Sequence, residues 1–182
     1  MSMAVLAVGV VGIISMQKIT LASNLHAKNL AIATHIAQSW IGVLEAEAAL
    51  WGSDPTTALN RTTWLRQGFG ITTWFRPVYS DALSFGPAFD ALGNPVEPVN
   101  QNPDAKFCVD LRFSPLTTNN SGGGLMRVEV RVVWLRPETI LAGAVTAPAH
   151  ACSVSDVKVD GTAERELFHF VMMAGGVRQV GI

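Results

Sequence analysis

The sequence predicts an α+β protein in which one long N-terminal helix packs on a C-terminal antiparallel β-sheet. Three observations predict it. No proline occurs before Pro55, so nothing breaks a helix through the first fifty residues. Within that stretch Ile32, Ile36, Trp40, Val43, Leu44, Ala48 and Trp51 recur at three- and four-residue spacing, which is one apolar stripe of a helix. Two later stretches alternate with period 2 instead: Phe107, Val109, Leu111 and Phe113, then Met126, Val128, Val130, Val132 and Trp134. The expected division is a helix over 1–51, its front about 1–24 protruding and its back about 25–51 packed on a head that spans 52–182.

The helix begins in an uncharged segment, MSMAVLAVGVVGIISMQ, which ends at Lys18. Met3, Val5, Leu6, Val8, Val10, Val11, Ile13 and Ile14 make it apolar all round. Gly9 and Gly12 are its weak points, each costing up to about 1 kcal/mol against alanine. Their three-residue spacing is not the GxxxG of tightly packed membrane helices. Three readings stand open. A cleaved secretory signal should start with basic residues, and none precedes Lys18, although Leu21-Ala22-Ser23 resembles a weak cut site. A membrane anchor needs about 20 apolar residues, and this run is slightly short unless Lys18 reaches back to the interface. A buried core helix is the third reading. Beyond Lys18, His26, Thr34, Gln38 and Glu45 occupy the side opposite the stripe. A helix continuous to Leu50 would be roughly 75 Å long.

Gly52-Ser53-Asp54-Pro55 ends the helix. Leu59, Thr63 and Arg66 suggest a short second helix, with Trp64 packing on the first. Ile71 to Val78 has strand-like residues but closes in Arg76-Pro77. From Tyr79 to Asp104 no period is present, and Pro87, Pro95, Pro98 and Pro103 mark a long irregular connection, the expected partner-facing surface. The two alternating stretches then form a hairpin across the flexible Thr117-to-Gly124 connector. Their apolar faces, Trp134 included, are expected to cover the stripe formed by Ile32, Ile36, Trp40, Val43 and Leu44. Their polar faces bring Asp110 and Arg112 near Arg127, Glu129 and Arg131, expected as surface pairs worth a fraction of a kcal/mol each. Cys152 to Val159 reads as a short strand. Leu167 to Met173 reads as the last long one, with a turn or bulge at Gly175-Gly176.

Composition excludes several functions. Hydrophobic residues make up 49% and charged residues 15%, against about 25% charged in an average soluble domain. Net charge is −1 with no basic block, so nucleic acid is not an expected partner. No nucleophile elbow or phosphate loop is present. His26 and His35 are nine residues apart, off the spacing of a helical metal pair, and His150 with Cys152 lacks a second pair of ligands. Glu45 and Glu47 do not converge on one substrate, and Glu164 and Glu166 read as solvated. No catalytic residue, metal, cofactor or small-molecule substrate is expected. Trp40, Trp51, Trp64, Trp74, Trp134, Met172 and Met173 read as packing. Cys108 and Cys152 would pair in an exported head. The bridge would close a loop of about 45 residues, worth roughly 4 kcal/mol in the loop-entropy model; in a reducing compartment they would be two buried thiols.

One resemblance covers about the first 50 residues and the general layout of the rest. Ala7-Val8-Gly9-Val10-Val11-Gly12-Ile13-Ile14-Ser15-Met16-Gln17 resembles the N-terminal helix of type IV minor pilins of the PilV kind, and Ala31 to Gln38 resembles the part where that helix meets the head. The resemblance implies a pilin-like fold and a minor subunit at the tip or in the initiation complex of a pilus. It implies assembly with other minor pilins and the major pilin through helix packing. The subunit would lie in the inner membrane before assembly and in the surface filament afterwards, its head outside the cytoplasm. Minor pseudopilins of type II secretion share the layout, and an anchored exported enzyme is the alternative of another class. Pilins also carry a basic leader, a glycine cut site and an aromatic-Thr-Leu-x-Glu segment. None stands here, so the chain is expected to begin inside the mature helix, with Met1 an internal methionine. Leader processing, N-methylation and the glutamate's pairing fall outside the chain as written.

Overall fold

The computed structural model describes residues 2–51, 61–97, 104–116, 124–136, 151–153 and 167–178, and within the first helix the side chains of 13, 14 and 16 onward. It divides into two compact units, Met1–Ile32 and Ala33–Ile182. Helix α1 spans Ser2–Ala48 without a break. The order that follows is helix α2 (Trp64–Gly68), strands β1 (Ala88–Phe89), β2 (Phe107–Pro115) and β3 (Leu125–Leu135), then β4 (Phe168–Arg178). The four strands form one sheet in the order β1-β2-β3-β4, antiparallel throughout. The predicted α+β class is the one observed, with the long helix packed on this sheet.

In the larger unit the period of α1 does its work at Ala33, Ile36, Ala37, Trp40, Leu44 and Ala48, all buried. Trp40 meets Trp64 edge to face at 5.2 Å and Phe85 at 4.9 Å. The sheet answers with Phe107, Val109, Leu111, Phe113, Val128, Val130, Val132 and Trp134, all buried on one face by strict alternation. Burying each such side chain stabilises by about 1.5–3 kcal/mol. The expected hairpin is present, its register running from Phe107 opposite Trp134 to Pro115 opposite Met126.

The last strand corrects the expectation of a turn. Gly175 and Gly176 lie inside β4, paired with Val128 and Arg127. At Gly175 an added Cβ would come within 3.1 Å of Ile41 Cγ2 on α1, so the glycine admits the helix rather than bending the strand. Glycine is needed more sharply at Gly68, where a Cβ would meet the Phe113 ring at 2.0 Å.

Other expectations are changed in part. Ile71 to Val78 contributes a single bridge, Phe75 to Leu111, as Pro77 forbids a longer ladder. Cys152 does not start a strand; Ala151–Ser153 is one 3-10 turn, and 154–160 lie outside the described residues. Also outside them are Gly52-to-Pro55, the 117–123 connector, His150, Glu164 and Glu166. Among the described residues no helix is long and apolar enough to cross a membrane. The side chains of 1–12, which hold most of the uncharged run, lie outside the described residues.

Candidate functional site

Two surfaces attract attention, one on α1 and one on the sheet. On α1, Ile13, Ile14, Met16, Ile19, Leu21, Leu25 and Leu30 are exposed, Met16 by 72% and Ile19 by 70%. At 100° per residue they spread over about two thirds of the circumference, leaving a sector to Lys18, Ala22 and His26, and so form a much broader surface than the single stripe of the back half. An open apolar depression is lined by Ile13, Met16, Gln17, Thr20 and Leu21. Of the other residues predicted for this surface, Met3, Val5, Leu6, Val8, Gly9, Val10, Val11 and Gly12 belong to the helical backbone, and their side chains lie outside the described residues. Of the predicted packing residues, Ile36, Trp40, Leu44 and Trp134 are buried, and Ile32 and Val43 are half-buried.

The sheet face opposite the helix is not the surface row of ion pairs expected from sequence. Asp110 is fully buried, Arg131 is 3% exposed and Glu129 6%. Asp110 accepts from Arg76 Nε and Nη2 on Oδ1, at 3.0 and 2.9 Å, and from Arg131 Nη2 on Oδ2 at 3.1 Å. Arg76 also donates to the Cys152 carbonyl at 2.9 Å. Glu129 binds Arg112, and Arg127 at 2.9 Å. Trp74 lies over both the Arg131 and Arg112 guanidiniums, 4.3 and 4.8 Å from the ring centre. The Arg112 hydrogen bond holds the Glu129 carboxyl below its ordinary pKa against the opposing effect of burial, with the charges of Arg112 and Arg127 adding to the shift. The cover comes from residues 74–76 and 151–153, distant in sequence, which is why the burial was not visible in the alternation.

The disulfide is formed: Cys108 and Cys152 are bonded, with Cα atoms 5.2 Å apart. Around it Ala88, Ala105, Val133, Ala151 and Phe168 make a small second core. Trp74 is thus half-buried against arginines, while Phe75 packs on Phe113 at 5.5 Å. Trp51 and Trp64 are buried, Met172 is exposed and Met173 half-buried.

Sequence reading also missed Glu47. Its carboxylate accepts the backbone N–H groups of Thr63, Trp64 and Leu65 and so caps α2 from the last turn of α1. The available sign was an acid inside the apolar stripe, between Leu44 and Trp51. Glu45, His26 and His35 are exposed, and His169 stacks 5.5 Å from Trp134. Among the described residues no three His, Cys, Asp or Glu side chains gather as metal ligands. Among the described residues neither surface sets a nucleophile beside a base. The chemistry on offer is apolar association and charge pairing. Comparison with known protein families, characterised proteins and solved structures finds no match to the chain.

Proposed function

We propose that the chain is a minor subunit, at the tip or in the initiation complex, of a type IV pilus, assembling through α1 with other minor pilins and the major pilin. The observation that carries this is the exposure of Ile13, Ile14, Met16, Ile19, Leu21, Leu25 and Leu30 over most of the circumference of one helix. Apolar side chains spread this widely around a helix leave more surface than one neighbour covers, and exposed apolar surface of this kind marks an interaction site. Neighbouring helices of the same character provide apolar surroundings. In this reading the inner membrane holds the apolar front before assembly. Exchanging lipid for neighbouring helices keeps the side chains in an apolar setting, so the transfer costs little.

The head supports the reading in its own way. Its disulfide fits an oxidising compartment outside the cytoplasm, and its long helix on an antiparallel sheet has the layout the resemblance implies. The function requires no catalytic residue or cofactor. The test is incorporation of Ile19→Asp/Leu25→Asp into filaments sheared from cells that make the wild-type chain. At least a roughly tenfold loss is expected, from the cost of a charge in an apolar helix interface, with the disulfide and near-UV spectrum of the head retained. Unchanged incorporation contradicts the proposal.

A further inference from the structure

Resting on the reading of α1 as an assembly helix, we infer that one face of its front is a seam for a helix of a different chain, one with carboxylates beside its apolar positions, rather than for a second copy of this chain. Ile14, Leu21 and Leu25 are exposed. At 100° per residue the three fall within about 40° of arc, so they form one narrow apolar line along the helix. Lys18 stands about 20° beyond that line on one side and Lys28 about 20° beyond it on the other. Both lysines are exposed, and among the described residues neither makes an ion pair. An apolar line with a charge on each flank is the layout of a coiled-coil seam, in which the flanking charges choose the partner.

The region carries one sign. From Met1 to Leu44 the chain has no Asp or Glu, and Lys18 and Lys28 are its only Lys or Arg side chains. The first acid, Glu45, lies about 25 Å beyond Lys28 along the axis and about 160° round the helix from Leu25. The next, Glu47, is committed to the amides of Thr63, Trp64 and Leu65.

Laid along this seam in either direction, a copy of the region presents lysines and no carboxylate. Its own charges then join those of Lys18 and Lys28 without a counter-charge, and that disfavours the self-pair. A helix with Asp or Glu on both sides of its apolar line pairs with Lys18 on one flank and Lys28 on the other. The two lysines are about 15 Å apart along the axis, so the carboxylates have to match that separation. The charges thus set register as well as partner, while the apolar line supplies the contact.

The test is binding of labelled synthetic helical peptides to the full chain in dilute nonionic detergent, read by fluorescence anisotropy against detergent alone. Two peptides share a leucine seam, flanked by glutamate in one and by lysine in the other. A third copies residues 13–32 of this chain. Wild type should bind the glutamate-flanked peptide about tenfold or more tighter than the other two at about 0.05 M salt, and the difference should shrink at about 0.5 M, where charges are screened over a few ångströms. Lys18→Glu/Lys28→Glu should invert the preference, with the disulfide and far-UV spectrum retained. Equal binding of the three peptides, no binding of the glutamate-flanked one, or a charge-reversed variant with the wild-type preference overturns the inference. The filament proposal fails separately, by unchanged incorporation of Ile19→Asp/Leu25→Asp.

Discussion

The two halves of α1 share one backbone and an apolar character, yet they meet opposite fates. From Ala33 to Ala48 the apolar residues fall on one stripe and are buried, Trp40 completely. From Ile13 to Leu30 they spread over most of the circumference and are exposed. The difference teaches what each half is for. A stripe is satisfied by one sheet within the chain. An apolar surface spread over most of the circumference has to be satisfied from more than one direction, which one sheet cannot do. The back half therefore packs within the head, and the front half is the surface on which the proposed association rests.

Substitution separates the halves most strongly at Trp40. Trp40→Ala should destabilise the head by about 3–5 kcal/mol, seen as an earlier midpoint in urea, because it leaves a cavity among Trp64, Phe85 and the sheet. A comparable loss, about 3–5 kcal/mol, is expected for Asp110→Ala, which strands the buried Arg131 guanidinium. Reducing the Cys108–Cys152 bond, or Cys108→Ser/Cys152→Ser, should cost about 2–5 kcal/mol, read from the same denaturation curves with and without reductant. Glu47→Gln weakens the cap on α2 and should cost about 1–3 kcal/mol.

Acid tests the network by a different route. Glu129 has its pKa lowered by Arg112 in the folded head. Its contribution is full above the unfolded value near 4.3 and is lost as pH falls through the lower folded value. Stability should drop below about pH 4.3, and Glu129→Gln should flatten that part of the profile. The smallest effect on stability belongs to the front half: Ile19→Asp should change head unfolding by no more than about 0.5 kcal/mol.

Much of this was legible in the residues, and the limits have a common cause. The helix, its stripe, the hairpin and its apolar face rest on periods of 3.6 and 2, which a linear reading detects. The polar face was legible in identity but not in burial. Asp110, Arg112, Glu129 and Arg131 alternate as a solvated face would, yet among the described residues 74–76 and 151–153, brought in from far along the chain, lie over Asp110 and Arg131. Gly175 read as a break because its reason is Ile41, more than a hundred residues earlier. Glu47 was read by its sequence neighbours when its partners are the amides of Thr63 to Leu65. On α1 the apolar front was plain in sequence; that Ile13 to Leu30 stay exposed is what the structure adds.

The central claim is that the front of α1 is an association surface and the back is not. Single cysteines placed at Ile19 and at Gln38, one per variant and each labelled with a thiol-reactive photocrosslinker, test it most directly, by intermolecular photocrosslinking in cells that make the filament. The account predicts rapid crosslinking from Ile19→Cys into products containing pilin partners, and little from Gln38→Cys on the exposed side of the back half. Equal crosslinking from the two positions, or none from Ile19→Cys, would contradict it.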